Sequence, residues 1–153
     1  MAPSSKTFIY GVSLRREAGR HARVESEGRV AIEVGPPGDF AGGDPARWSP
    51  EHLFLSALST CMMLSFLAHA DHADVDVEEY TSAIEGTIRR RADDSRYAFT
   101  AIQVRPRVVV GRGQLETVRG FLPKAERDCF ISASTNASID VEWELAEPAS
   151  IQL

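Results

Sequence analysis

The fold of this chain is decided by one segment, SPEHLFLSALSTCMMLSFLAHA, which runs from Ser49 to Ala70. Ser49 suits a helix N-cap, Pro50 the first helical position, and Glu51 the positive end of the helix dipole. Apolar side chains then follow on nearly every side, at positions 53–55, 57, 58, 61–64 and 66–68. We predict a helix from this cap to about Ala70 that is surrounded by protein, contributed by a sheet and by a second layer or a partner subunit.

The sequence before this helix alternates apolar and polar residues, as half-buried strands do. We predict a first strand over 7–14 and a hairpin whose arms, 22–26 and 29–34, flank a turn at Gly28. Residues 35–48 contain glycine and proline at a density that no regular element tolerates, so we predict a long loop there. Loops of this length are uncommon in compact domains and are often functional.

After the helix, two long segments of period two predict an antiparallel hairpin over 75–91 and 97–110, bent where Pro106 cannot donate a ladder hydrogen bond. A helical repeat over 113–128 predicts a second helix, kinked or interrupted by its own glycine and proline. Alternation over 139–145 predicts a last strand. The predicted order is βββ-α-ββ-α-β, and because hairpins dominate it we expect the α+β class with antiparallel sheets.

Length and composition restrict the class of protein. The 153 residues suit a single domain over 1–153, and a net charge of −5 with a pI near 5.4 offers no basic surface to a nucleic-acid backbone. The N-terminal segment lacks the pattern of a signal peptide. The apolar run at 53–70 is interrupted by serines and a histidine and is short for a membrane span. We therefore expect a cytoplasmic protein that binds neither nucleic acid nor membranes.

The chain has two cysteines, Cys61 inside the apolar helix and Cys129 at the end of the second helix. They are too few for a disulfide scaffold, and their spacing matches neither a CxxC redox turn nor a zinc knuckle. Taken alone, Cys61 is better explained as a packed core thiol than as a reactive one. His69 and His72 lack further ligands in the sequence, so we interpret them as a frayed polar helix end and predict no bound metal.

Two motifs carry a resemblance to a known family. The first is PEHLFLSALSTC, in which Pro50 and Glu51 open an apolar helix that reaches Cys61. The second is CFISAS, which begins at Cys129 and precedes the strand segment SIDVEW. Together with the order of elements over almost the whole chain, these motifs resemble the OsmC/Ohr family, the osmotically inducible and organic hydroperoxide resistance proteins.

The resemblance implies an OsmC-like fold and an intertwined homodimer whose sheets wrap a pair of central helices, which would cover the apolar faces of the first helix. It also implies thiol-dependent reduction of organic hydroperoxides in oxidative stress defence, with no bound cofactor and with an external dithiol or lipoyl-type reductant. Residue by residue, Cys61 matches the cysteine that attacks the peroxide. Cys129 matches the cysteine that resolves the resulting sulfenic acid as a disulfide.

A buried thiol needs a nearby cation to become a thiolate. In the family, an arginine held by the glutamate of the PE motif supplies this cation, and Glu51 matches that glutamate. Arg20, which follows Gly19, matches the arginine, and Arg23 is the alternative. Ten residues of helix separate Glu51 from Cys61 by about 15 Å. If both serve one site, Glu51 therefore comes from the other subunit.

Phe130 departs from the best characterised organic peroxidases of the family, which have a proline after the second cysteine. The motif CFIS resembles a broad OsmC-like branch without an assigned substrate. Two alternatives to a peroxidase therefore stay open. One is a dimeric module that binds a small lipid-like or thiol ligand in its apolar cleft, and the other is a structural dimer without peroxidase turnover.

Overall fold

The computed structural model describes residues 5–150. The start of the N-terminal segment that we examined for a signal peptide, residues 1–4, lies outside this range. The chain divides into two units by its internal contacts, one ending at Leu53 and the other beginning at Phe54. The single domain over 1–153 stays a prediction.

The first unit contains a three-stranded antiparallel sheet in the order β1-β2-β3. Its strands are β1 (Ser13–Arg16), β2 (Ala22–Glu25) and β3 (Ile32–Val34). All three strands were predicted, but β1 and β3 begin later than the sequence pattern indicates, because pairing starts only where β1 and β3 meet β2. The predicted loop over 35–48 contains turns and one isolated bridge, between Val34 and Trp48.

The helix α1 (Pro50–His72) begins at the predicted cap. The Ser49 hydroxyl accepts a hydrogen bond of 3.2 Å from the backbone N–H of His52, and Ser49 is fully buried. The helix ends two residues later than the predicted Ala70. Its residues up to Leu53 belong to the first unit and the remainder belongs to the second.

The single chain covers only one stripe of α1. The buried residues Leu58, Met62, Phe66 and Ala70 recur every four positions, and Leu64 on another face is 58% exposed. By length and composition α1 could also cross a membrane, with a mean hydropathy of 1.7, but core helices of soluble proteins meet the same criterion. The single chain therefore leaves other apolar faces of α1 open, and that a partner subunit covers them stays a prediction.

The second unit contains a four-stranded mixed sheet with β5 at its centre. The strands β4 (Val77–Arg90) and β5 (Tyr97–Val110) form the predicted antiparallel hairpin. The strands β6 (Ser138–Val141) and β7 (Glu144–Ala146) both pair with β5 in parallel. The predicted last strand is thus two short strands, and its pairing is parallel where we expected antiparallel sheet.

The break between β6 and β7 coincides with Pro106 in β5. The β6 pairing ends at Val104 and the β7 pairing begins at Arg107, so Pro106 has no parallel partner. A partner strand at that position would lose a ladder hydrogen bond, because proline has no N–H to donate. No bulge occurs at Pro106; the irregularities in the β4–β5 pairing lie at Val77/Glu79 and Thr87/Ile88.

The helix α2 (Leu115–Arg127) is a single helix that contains Pro123, so the predicted interruption does not occur. Its buried residues join the C-terminal half of α1 in one core cluster with β5. The N-terminal half of α1 contributes Leu58 and Met62 to a second cluster, which also contains Cys129. Two helices against a mixed sheet, together with the separate antiparallel sheet of the first unit, make this the predicted α+β class.

Candidate functional site

The two cysteines lie together in the second core cluster. Cys61 is half-buried on α1, and Cys129 is fully buried just after the end of α2. Cys61 packs against the cluster that contains Cys129, and neither cysteine forms a disulfide in this structure. The structure therefore brings the two residues that the sequence paired into one cluster.

The turn that follows α2 holds Cys129 in place. Its sulfur accepts a hydrogen bond of 3.4 Å from the backbone N–H of Ser132. Its carbonyl oxygen accepts hydrogen bonds from the N–H of Ala133 at 3.1 Å and from the Ser132 hydroxyl at 2.9 Å. A short 3₁₀ helix, Ser132–Ser134, completes the turn. Both the backbone and the sulfur of Cys129 are therefore positioned by residues that follow it directly in the sequence.

The backbone of the same turn also faces Cys61. In the described segment from 128 to 135, every backbone N–H has a hydrogen-bond acceptor within the chain except those of Phe130 and Ile131. These two N–H groups lower the pKa of the Cys61 thiol. One turn thus directs N–H groups at both sulfur atoms.

Burial is the largest influence on Cys61, and it raises the pKa of its thiol. Interaction with Cys129 also raises this pKa, whereas the N–H groups of Ile131 and Phe130 oppose the rise. The net pKa stays above the ordinary value, so the chain alone favours the unreactive thiol. Formation of the thiolate requires a further cation.

The first unit brings Arg20 and Glu51 to one cleft. Both residues line a cavity of about 410 Å³ whose other walls include Val34 and Phe40. The Arg20 guanidinium donates a hydrogen bond of 3.0 Å to the carbonyl oxygen of Ala41. Within residues 5–150, Arg20 and Glu51 form no ion pair at 4.0 Å or less. The two residues therefore share a site without contacting each other as a salt bridge.

Glu51 carries a carboxylate oxygen, Oε2, that is buried without a hydrogen-bond partner in the part of the chain described. Burying a carboxylate oxygen without a hydrogen-bond donor costs free energy. A donor or cation brought to Glu51 Oε2 would therefore stabilise this carboxylate. Arg23, the alternative arginine, is engaged elsewhere: it pairs with Glu17 at 3.1 Å and with Glu33 at 3.5 Å. Of the two arginines, only Arg20 lines the cleft with Glu51.

The four predicted site residues therefore form two pairs, with one pair in each unit. Cys61 and Cys129 belong to the second unit, and Arg20 and Glu51 to the first. That Glu51 serves a cysteine of a partner subunit stays a prediction.

Sequence reasoning missed the role of His69. Its Nε2 lies 2.9 Å from the Asp128 carboxylate, and α1 continues past it, so the interpretation as a frayed helix end is wrong. Within residues 5–150, no group of three His, Cys, Asp or Glu side chains could hold a metal ion. The sequence could have indicated this contact through the spacing of Cys61, Ser65 and His69, because residues four apart lie on one face of a helix.

A family model described as OsmC-like protein matches residues 42–144. The chain belongs to the OsmC family. The match includes Glu51, Cys61 and Cys129, whereas Arg20 lies outside it. No curated protein matches the sequence.

Solved structures confirm the OsmC-like fold. An OsmC-like protein of unknown function from Vibrio cholerae superimposes with a TM-score of 0.81 at 22% identity, covering 90% of this chain and 99% of that one. An organic hydroperoxide resistance protein from Elizabethkingia anophelis gives 0.68 at 20% identity, covering 94% and 100%. The organic hydroperoxide resistance protein OhrB of Bacillus subtilis gives 0.61 at 19% identity, covering 89% and 98%. At these identities the likeness concerns the fold.

Proposed function

We propose that this OsmC family protein is a thiol-dependent peroxidase that reduces organic hydroperoxides in oxidative stress defence. The observation that carries the proposal is the pair of free thiols, Cys61 and Cys129, packed in one apolar cluster. Membership of the OsmC family supports it. The shared fold with proteins named for organic hydroperoxide resistance supports it further.

In the first step, Cys61 reacts as a thiolate. Its sulfur attacks one peroxide oxygen, the O–O bond breaks, and the leaving alkoxide takes a proton and departs as an alcohol. Cys61 is thereby oxidised to a sulfenic acid while the hydroperoxide is reduced. The N–H groups of Phe130 and Ile131 favour the thiolate by facing its charge.

In the second step, the Cys129 sulfur attacks the Cys61 sulfur. A disulfide forms, and the sulfenic hydroxyl leaves with the Cys129 proton as water. An external dithiol of the lipoyl type then attacks the disulfide through a mixed disulfide and returns both cysteines to thiols, so that the reductant ends as its own disulfide. This cycle uses no bound cofactor.

The proposal includes a homodimer. A second copy would cover the open faces of α1 and bring the Arg20 and Glu51 of one chain to the Cys61 of the other. The buried, unpartnered Glu51 Oε2 supports this view, because such an atom requires a donor. The cytoplasmic location and the lack of nucleic-acid or membrane partners stay predictions from the sequence.

The peroxidase assay on both cysteine variants tests this function. We expect the reduced wild type to consume cumene or tert-butyl hydroperoxide continuously with a dithiol reductant. Cys61→Ser should reduce consumption to the buffer rate. Cys129→Ser should consume about one equivalent per chain in the absence of reductant and accumulate a sulfenic acid. Each variant is the control for the other, because both lose one thiol but only Cys61→Ser loses the thiol that attacks the peroxide. Turnover that survives in Cys61→Ser would contradict the proposal.

The cleft in the first unit favours a second candidate, a module that binds a small apolar ligand. Its volume of about 410 Å³ suits such a ligand. The motif CFIS, which resembles a branch without an assigned substrate, supports this candidate. A binding module should show ligand-dependent thermal stabilisation that neither Cys61→Ser nor Cys129→Ser changes.

A further inference from the structure

One face of α1 meets α2 and the two residues that follow α2 along three contacts. At the first, Cys61 packs against the cluster that contains Cys129. One turn further along α1, the Ser65 hydroxyl donates a hydrogen bond of 2.6 Å to the carbonyl oxygen of Ala125. Residues four apart on a helix lie on one face, so the same face of α1 presents His69 one turn later still.

The third contact joins His69 to both Phe121 and Asp128. The His69 ring stacks on Phe121, with ring centroids 6.0 Å apart and an angle of 20° between the planes. Its Nε2 lies 2.9 Å from Oδ2 of Asp128. The other carboxylate oxygen, Oδ1, accepts a hydrogen bond of 2.9 Å from Nε of Arg127. Asp128 is the residue immediately before Cys129, so this contact fixes the backbone from which the resolving thiol extends.

The negative charge of Asp128 strengthens its hydrogen bond with His69. Arg127, and after it His69, hold the pKa of the Asp128 carboxyl below its ordinary value, so the group is ionised at neutral pH. The side chains of His69 and Asp128 are 24% and 41% exposed, so the contact between them is only partly open to solvent. A hydrogen bond to a charged group in this setting holds its partners more firmly than one between neutral groups.

We infer that His69 and Asp128 are positioning residues for the resolving step, which tie the Cys129 backbone to the helix that carries Cys61. This inference rests on the proposed function. The step it governs is attack of the Cys129 sulfur on the Cys61 sulfenic acid, in which an S–S bond forms, an S–O bond breaks, and water leaves. The pair contacts neither the peroxide nor the reacting sulfurs, so attack of Cys61 on the peroxide should not depend on it.

Two variants of His69 separate its ring from its hydrogen bond. His69→Phe keeps an aromatic ring for stacking on Phe121 but removes the donor, whereas His69→Gln keeps a donor near the position of Nε2 and removes the ring. Asp128→Asn removes the charge from the other side of the pair. His72, exposed three residues further along α1, provides the matched controls His72→Phe and His72→Gln.

The experiment treats each reduced full-length protein with one equivalent of cumene hydroperoxide. Sulfenic acid formation and its conversion to disulfide are followed separately by chemical trapping and mass spectrometry. We expect His69→Phe and Asp128→Asn to slow disulfide formation about fivefold, with sulfenic acid formation unchanged. His69→Gln and both His72 variants should form the disulfide at nearly the wild-type rate. An unchanged or faster second step in His69→Phe would overturn the inference, and so would a slowed first step.

A second measurement is independent of peroxide chemistry. The equilibrium between the Cys61–Cys129 disulfide and dithiothreitol reports how well the fold presents one sulfur to the other. We expect His69→Phe to shift this equilibrium about fivefold toward the dithiol, and His69→Gln to restore it. If the wild type fails to reduce hydroperoxides but this shift occurs, the proposed function fails while the positioning role stands. If no shift occurs in a His69→Phe variant that melts like the wild type, the positioning role fails.

Discussion

At the residue that follows the second cysteine, the chain keeps a backbone N–H that a proline would lack. The Phe130 side chain is 67% exposed, so its contribution to the site comes from the backbone rather than from the ring. That N–H lowers the pKa of Cys61 and has no other acceptor within the described turn. The backbone of Phe130 therefore supplies a group that favours the Cys61 thiolate.

We expect Phe130→Pro to raise the pKa of Cys61 further, because the thiolate loses one N–H. Since only the thiolate reacts, the rate of Cys61 alkylation rises with pH through this pKa, and the variant should reach half its maximal rate at a higher pH. Iodoacetamide labelling against pH in a Cys129→Ser background measures the midpoint. Phe130→Ala keeps the N–H and is the control. Equal midpoints for the proline and alanine variants would show that this N–H does not act on Cys61.

At the scale of secondary-structure elements, β4 and α1 approach each other closely at Gly86. A Cβ at this position would lie 2.6 Å from Cε1 of Phe99 and 2.9 Å from Cδ2 of Leu55. Phe99 has little freedom to move away, since its ring stacks on Phe54 with centroids 5.0 Å apart. The absence of a side chain at Gly86 therefore sets how closely the N-terminal half of α1 packs on the sheet.

We expect Gly86→Ala to lower the free energy of unfolding by about 1–3 kcal/mol through overpacking, as measured by urea denaturation. Gly120→Ala is the matched control, because a Cβ there meets nothing within 4 Å. Gly120 lies inside α2, so its replacement by alanine should stabilise the protein by about 0.5–1 kcal/mol. Equal free energies of unfolding for Gly86→Ala and the wild type would mean that β4 and α1 leave room for a Cβ at Gly86, which would contradict this prediction.

The elements that the sequence predicts well are those whose signals are local. The bounds of β5 and the cap of α1 agree with the structure because period-two alternation and capping chemistry act within a few residues. The parallel pairing of β6 and β7 could not be predicted from their own residues. Their separation follows from Pro106, which lies in another strand.

The same distinction applies to the candidate site. Two motifs and their order predicted that Cys61 and Cys129 belong together, and the structure places them in one cluster. The contact between His69 and Asp128 escaped prediction because it depends on how α1 packs on α2, which periodicity does not encode. The N–H groups directed at the two sulfurs escaped it as well, since any non-proline sequence carries such groups.

At the scale of the whole molecule, α1 has apolar faces that the single chain leaves exposed and that a partner subunit would cover. In a monomer Leu64 would remain 58% exposed, and a charge there would cost little. In the proposed homodimer the same charge would be buried against a second α1 and would be strongly unfavourable.

We therefore expect the wild type to have the mass of two chains by light scattering, and Leu64→Asp to have the mass of one and a lower melting temperature. Tyr97→Asp is the control, because Tyr97 is 76% exposed at the β4–β5 turn. A wild type with the mass of one chain would contradict the homodimer. An unchanged mass in Leu64→Asp would place the interface elsewhere.

The turn that follows α2 also has a consequence for spectroscopy. Its backbone reaches both sulfurs, with the Ser132 N–H on Cys129 and the N–H groups of Phe130 and Ile131 facing Cys61. Oxidation of either sulfur changes the acceptor of at least one of these groups, and a disulfide changes the acceptors of all three. Their amide proton resonances should therefore move together when the disulfide closes, and separately when only the sulfenic acid has formed. Three nuclear magnetic resonance signals would then report the oxidation state of the pair in solution without any added label.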